Sequence, residues 1–525
     1  ATNNTFKGLN FVTSNNSIEI SGGNNTVDSC SFFVSGWGQN AVWIKGGNNS
    51  IVTNSTFSGS QQHAVSIEVG GGHTIDNCSA TNIKDVAFIA RGTGGNVFSN
   101  CSASEGNHNG FGLLSKDNII EDCTAYNNDK SGIAIDNSTG QGNGNIIRRN
   151  KVFGNNLVFY MGASKPLYDQ SAIFSNGPNT EIYDNYVYDN AAHGVMIHGA
   201  FAAGAIVNDN TIGRDDLGNE LGNGWNGVYI HGANGAIVAD NVVVNNGYGA
   251  SHNSYFMPES VSGIRIETVT SGTVQNNYVG TDANKINAGN AFDGITLYTN
   301  TIGVTIKGNV SCNNGYYDFD NNTSHSGWNG SVGGGGIALR LGSGNNVSIV
   351  SNYVGVHKDN SDGGNKDYGI SIEGGNNVLI GGTNSSDGNI IGFSKNAAIT
   401  GSERGCGVWL YGASSATLFN NQIISNVGNG IQIESTSTGN IIGANGDGNS
   451  ITGNNLGILV SGNSAVNNTF RYNSFSCNIN GGISLQNGGN TDYGNGSSPK
   501  GIVVRTDDTR PDFVSGYAPS ANATI

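Results

Sequence analysis

A short string of the form Gly/Ala-apolar-x-apolar-x recurs sixteen times along these 525 residues, and repetition at that density constrains the fold more than any other feature. It reads Ala41-Val-Trp-Ile-Lys45, Ala64-Val-Ser-Ile-Glu68, Gly132-Ile-Ala-Ile-Asp136, Gly194-Val-Met-Ile-His198, Gly227-Val-Tyr-Ile-His231 and Gly263-Ile-Arg-Ile-Glu267. It continues through Gly294-Ile-Thr-Leu-Tyr298, Gly336-Ile-Ala-Leu-Arg340, Gly369-Ile-Ser-Ile-Glu373 and Gly407-Val-Trp-Leu-Tyr411 to Gly482-Ile-Ser-Leu-Gln486, with weaker copies centred on Ile18, Ala87 and Phe111. Each copy alternates apolar and variable residues, the pattern of a short strand with one apolar face.

A second string, apolar-x-x-[Cys/Asn/Ser]-x-apolar, follows each strand. Its fourth position holds Cys30, Ser55, Cys78, Cys101, Cys123, Asn150, Asn185, Asn210, Asn241, Asn277, Asn309, Asn352, Asn421 and Asn473, and the first steps are 25, 23, 23 and 22 residues. One coil of a parallel β-helix has that length, and equivalent residues of successive coils then stack at about 4.8 Å. An inward amide ladder at a turn satisfies both its own hydrogen-bonding groups and free backbone groups, which is why Asn is tolerated there. The expectation is an all-β chain: one parallel β-helix of about sixteen coils over residues 1–490, with an irregular tail, 491–525, packing on or beyond the last coil.

Composition supports this and excludes several function classes. Gly is 83 residues and Pro 6, and charged residues are only 12%, yet apolar strings recur from end to end, so the chain buries a core in thin layers. The net charge of −15, without a basic patch, argues against nucleic acid. No apolar run reaches the length of a membrane span. The seven Cys show no metal-ligand spacing, so neither metal nor cofactor is expected. Cys on neighbouring rungs have parallel Cβ vectors, which suits a stack of inert thiols better than disulfides.

The Gly-Ile-x-Ile strand and the Asn-x-Ile/Val turn resemble those of the right-handed parallel β-helix superfamily, which contains pectate lyases, alginate lyases, mannuronan epimerases, many glycosidases, phage tailspikes and bacterial surface proteins. The resemblance covers nearly the whole chain and implies a right-handed helix. Stretches such as Asn376-Asn-Val-Leu-Ile-Gly-Gly-Thr look like the secreted β-helix repeat proteins of bacteria. No single enzyme family is matched: the Asp-Pro-His of mannuronan epimerases and the paired catalytic motifs of polygalacturonases are absent.

The two variable positions of each strand should face outward and form two columns. One reads Met196, Tyr229, Arg265, Thr296, Ala338, Ser371, Trp409; the other reads Asp136, His198, His231, Glu267, Tyr298, Arg340, Glu373, Tyr411, Glu434. Insertions at 154–181, 245–262, 312–335 and 355–368 all fall between the ladder turn and the next strand, so long loops crowd one corner, and long loops often carry function. They bring aromatic residues, among them Tyr168 and Tyr255, beside the columns. The expected site is a solvent-open polysaccharide groove in which His198, His231, Arg265, Glu267, Tyr298 and Arg340 do the chemistry. Tyr229, Glu373, Tyr168, Tyr255, Trp409 and Tyr411 would contact sugar. In a lyase the arginines would clamp a uronate carboxylate while His or Tyr acts as base and acid. A glycosidase would need two carboxylates about 5–9.5 Å apart.

A structural glycoprotein, assembled into a filament or cell-surface layer, is the alternative. The repeat begins at once, so the edge around residues 4–11 should be covered by another copy, by the tail or by a further segment. Asn-x-Ser/Thr sequons at Asn24, Asn48, Asn54, Asn77, Asn100, Asn137, Asn346, Asn384, Asn467, Asn495 and Asn522 would then carry glycan. Both readings place the chain outside the cell or on its surface.

Overall fold

The computed structural model describes residues 2–36, 38–59, 62–138, 140–156, 171–247, 261–315, 334–342, 344–396, 405–486, 502–504 and 514–516. Two compact units are present: Ala1–Asn241 with Asn245–His252, and Val242–Val244 with Asn253–Ile525. Each is a parallel β-helix. Strands follow one another in a fixed cycle of three, and each pairs in parallel with its equivalent one coil along. In the first unit, Thr74–Asp76, Ser79–Thr81 and Phe88–Ala90 pair with Val97–Ser99, Ser102–Ser104 and Phe111–Leu113, in register Ile75↔Phe98, Ala80↔Ala103 and Phe88↔Phe111. In the second, Ser348–Val350, Tyr353–Val354 and Tyr368–Glu373 pair with Leu379–Gly381, Ile390–Gly392 and Cys406–Tyr411.

Among the described residues each of the three sets contains seventeen strands, one more than the sixteen read from the sequence. The strand missed is Ser171–Ser175. Its Ser-Ala-Ile-Phe-Ser places Phe174 where a polar outward residue was expected and a serine where an inward apolar one was, so the alternation is lost. Its register is nonetheless regular, Ile133↔Ile173↔Val195. The chain's last two described strands, Ile502–Val504 and Val514–Gly516, pair antiparallel with each other, outside the cycle.

Inward residues of equivalent strands form columns of core. Val52, Ile75, Phe98, Ile120, Ile147, Ile182 and Val207 are all fully buried, and each such side chain contributes roughly 1.5–3 kcal/mol relative to exposure. Phe11, Phe32 and Phe57 stack ring on ring at 4.9 Å, the spacing of the coils themselves. The corner between first-set and second-set strands is a two-residue turn: a left-handed residue, then a ladder residue pointing inward. Asn77, Asn100 and Asp209 take φ of 49°, 51° and 54° there, immediately before Cys78, Cys101 and Asn210. Asn and Asp tolerate that conformation best among residues with a Cβ.

The ladder runs inward without a break where Cys gives way to Asn. Cys101 N donates to Cys123 Sγ (3.3 Å), Cys123 N to Asn150 Oδ1 (2.9 Å), Asn150 N to Asn185 Oδ1 (2.9 Å) and Asn185 N to Asn210 Oδ1 (3.0 Å). The seven cysteines are free, and all but Cys477 are buried. The thiol of Cys101 donates to Ser99 O, and burial pushes its pKa far up, as expected of an inert thiol. In the second unit the ladder also includes Asn389 and Asn449, which fall between Asn352, Asn421 and Asn473. Two further ladders, not recognised in the sequence, occupy the other corners. One runs through Asn25, Ser50, His73, Asn96, Asn118 and Asn145, the other through Asn128, Asn155, Asn190 and Asn223.

His73 is the titratable rung. Its Nδ1 accepts from Ser50 N (3.1 Å), so the native ring is neutral, and burial holds its pKa below the ordinary imidazole value. Below pH ~6.5 the unfolded chain binds a proton that the folded chain refuses, so the unfolded state carries more protons and stability falls with pH. The expected slope is about 1 kcal/mol per pH unit between pH 6.5 and the depressed native pKa. Urea midpoints of the native chain should drop over this range, and His73→Asn, which keeps a ladder acceptor, should remove that share of the drop. Equal pH profiles for the two proteins would show that His73 is not the group responsible.

Three of the long insertions share one corner: the connections after Val242–Val243, Val310–Ser311 and Tyr353–Val354 each lead from a second-set strand to the next third-set strand. The expectation for 154–181 is corrected: it takes in the third-set strand Ser171–Ser175, so only its first part lies at that corner.

Candidate functional site

The outward row expected from the sequence divides between the units: His198 and His231 belong to the first, and Arg265, Glu267, Tyr298 and Arg340 to the second. In the first unit His198 pairs with His231 across strands His193–His198 and Val228–His231. Their rings stack at 4.9 Å and 6°. Burial, then the neighbouring His231, lowers the pKa of His198. Beside them, His193 is buried and its Nδ1 accepts from Asn226 N (3.2 Å). Its ring meets Trp225 and Tyr229 at 4.9 Å each, and Tyr229 lies 6.0 Å from His231.

In the second unit Glu267 pairs with Tyr298, and Glu373 with Tyr411 and then Glu434. Arg265 is not open to solvent. Its Nη2 donates to Glu267 Oε2 (2.8 Å), and its guanidinium lies 4.1 Å over the Tyr298 ring. Arg340 is also enclosed, its Nε donating to the fully buried Asp293 Oδ2 (2.9 Å) and its Nη1 to Glu373 Oε1 (2.9 Å). Its Nη2 donates to Tyr368 OH (2.5 Å), whose own hydroxyl donates to Asp293 Oδ1 (2.8 Å). Burial works against the Arg340 charge, but Asp293, Tyr368 and Glu373 hold it firmly protonated, and burial pushes the Tyr368 phenol up. The expected solvent-open arginine pair is therefore corrected: Glu267 on the same strand pairs with Arg265, and Asp293 and Glu373 on the neighbouring coils pair with Arg340.

The other outward column is corrected as well. Met196, Thr296, Ala338 and Ser371 are fully buried, and Tyr229 and Trp409 half-buried. Met196 packs with Ala134 and Phe174, and Ala338 with Tyr368, Cys406 and Trp409. Trp409 Nε1 donates to Glu434 Oε2 (3.3 Å), and its indole lies 5.2 Å from the Tyr411 ring at 50°. Tyr411 is 44% exposed. Tyr168 and Tyr255 lie outside the described residues.

Asp293 and His193 had no assigned role in the expected site, and Tyr368, at the end of the 355–368 insertion, counted only among its aromatic residues. Asp293 and His193 stand immediately before the Gly of the repeated string, and Tyr368 before Gly369. A polar or aromatic residue at that position is the signal that would have found them. Among the described residues no group of three His, Cys, Asp or Glu is placed to hold a metal ion, and no helix is long and apolar enough to cross a membrane. Of the sequon residues, Asn24, Asn48, Asn54, Asn77, Asn100, Asn346, Asn384 and Asn467 are exposed and Asn137 partly so, while Asn495 and Asn522 lie outside the described residues.

Residues 1–172 match the family model described as right handed beta helix region. Among curated proteins none matches the chain. Of solved structures, the A-module of mannuronan C-5 epimerase AlgE4 from Azotobacter vinelandii is similar at 11% identity over 68% of this chain and 86% of that one, with TM-score 0.37. The alginate lyase AlyF-OU02 is similar at 11% identity over 70% and 79%, TM-score 0.31. A mutant tailspike protein of E. coli bacteriophage HK620, in complex with a pentasaccharide, is similar at 10% over 92% and 70%, TM-score 0.23. The three parallel strand sets make each unit a parallel β-helix, and residues 1–172, which the family model matches, are of the right-handed kind.

Proposed function

We propose that the chain binds polysaccharide outside the cytoplasm, over Trp409 and Tyr411 in the second unit, and that it favours uncharged sugars over polyuronates. The observation that carries this reading is the open Tyr411 ring, set at 50° to the indole of Trp409. Rings stacked face to face on successive coils, such as Tyr126, Phe153 and Tyr188 at 5.1 and 5.0 Å, hide each other's faces. A tilted pair leaves them free for the C–H edges of a sugar. Glu373 and Glu434 flank Tyr411 on the adjacent rungs, where their carboxylates accept sugar hydroxyls and repel uronate. Arg265 and Arg340, which would have attracted uronate, are already paired with Glu267 and with the fully buried Asp293. The exposure of most sequon asparagines is compatible with an external protein.

Affinity electrophoresis through gels containing neutral or uronate polymers tests the reading. A stacked ring is worth about 1 kcal/mol, so Tyr411→Ala should weaken retention by a neutral glycan roughly fivefold, and the Trp409→Ala, Tyr411→Ala double variant roughly 25-fold. Stronger retention by polyuronate than by any neutral polymer would overturn the preference. Unchanged retention in the double variant would overturn the site.

A further inference from the structure

We propose that His198 and His231 form a two-imidazole site for a divalent first-row transition ion such as Cu²⁺, Ni²⁺ or Zn²⁺. The sequence conceals the pair, because 33 residues separate the two histidines and no local motif joins them. The coil brings them together: they are register partners on adjacent strands, with rings 4.9 Å apart and 6° from parallel. Both are half-buried at the outer face of the sheet, so each ring is held on one side and open on the other.

Their hydrogen bonding points to a ligand. Among the described residues neither imidazole hydrogen-bonds to the protein, and the Nδ1 of His231 is enclosed with no partner at all. Three other buried histidines are bonded to the backbone: His63 Nδ1 meets Val86 O at 2.7 Å, and His73 and His193 accept from backbone N–H groups. Buried polar nitrogens are normally satisfied, so the bare Nδ1 of His231, beside a second imidazole, leaves capacity for an added partner.

Neutral imidazole selects Zn²⁺, Cu²⁺ and Ni²⁺ over the oxygen-seeking Ca²⁺ and Mg²⁺. An imidazole lone pair lies in the plane of its ring, so the two stacked rings must turn out of parallel before both point at one ion, at metal–nitrogen bonds of about 2.1 Å. Two protein ligands leave the remaining positions to water or to an added ligand.

The test is calorimetric titration of the full chain with Cu²⁺, Ni²⁺, Zn²⁺ and Ca²⁺, repeated on His198→Ala and His231→Ala. The expected result is one equivalent of each transition ion, no Ca²⁺ binding, and loss of the site in either single variant. With Cu²⁺, paramagnetic resonance should show two equivalent imidazole nitrogens in the native chain and one or none in each variant. Thermal unfolding without metal checks that both variants fold. Absence of binding, binding that survives either substitution in a folded variant, or equal binding of Ca²⁺ would overturn the proposal.

Discussion

Asn185→Ala should cost about 4 kcal/mol, more than truncating most apolar core residues of similar size. In the native ladder Asn185 Oδ1 accepts from Asn150 N and Nδ2 (2.9 and 3.0 Å), while its own Nδ2 donates to Ile147 O, Tyr183 O and Asn210 Oδ1, each at 2.9 Å. Alanine leaves those donors and acceptors buried and unmatched, and each orphaned group costs roughly 1–3 kcal/mol. Denaturant unfolding of the variant checks the figure. A loss below about 1 kcal/mol would mean that water or a shifted backbone re-satisfies the rung, and that the ladder contributes specificity of register more than stability.

The second large effect concerns Arg340. Removing one partner of a buried ion pair strands the other, at a cost of about 3–5 kcal/mol. Arg340→Ala strands Asp293, which is fully buried and accepts from Gly335 N, Thr296 Oγ1 and Tyr368 OH besides the guanidinium. A sharp loss of stability is expected. Combining Arg340→Met with Asp293→Asn should restore most of it, since the amide oxygen still accepts from Gly335 N without a charge to neutralise. A uronate clamp predicts the reverse: nearly unchanged stability in Arg340→Ala, with binding of acidic polymer abolished. Parallel denaturation and binding curves separate the two.

Much of the architecture was legible because its cause repeats. Ile and Val recur at the inward positions of every coil, and Asn recurs where a turn carries a left-handed residue followed by an inward one, so period, register and the Cys-to-Asn ladder follow from the string itself. Ser171–Ser175 escaped because Phe174 and Ser175 reverse the expected alternation. The candidate site was less legible. The sequence shows which residues leave the core, but not what lies over them. Thr296, Ala338 and Ser371 are small, the size expected beneath a cover, and that size was the available clue. Asp293 and Tyr368 act from just outside the repeated string, so a pattern built on the strand passed over the two groups that neutralise and enclose Arg340.

The ladder bonds join residues one coil apart and no further, 22 residues for Asn96 with Asn118 and 27 for Cys123 with Asn150. No rung of the ladder waits for a distant part of the chain, and each new coil finds its template in the edge of the one before it. Such a chain, delivered end first through a narrow exit, has all it needs to fold as it emerges. The step from one rung to the next is 22 residues between Asn96 and Asn118 and reaches 51 between Asn314 and Asn365. The regularity that makes the helix easy to read therefore also lets it grow by accretion, one coil on the edge of the last.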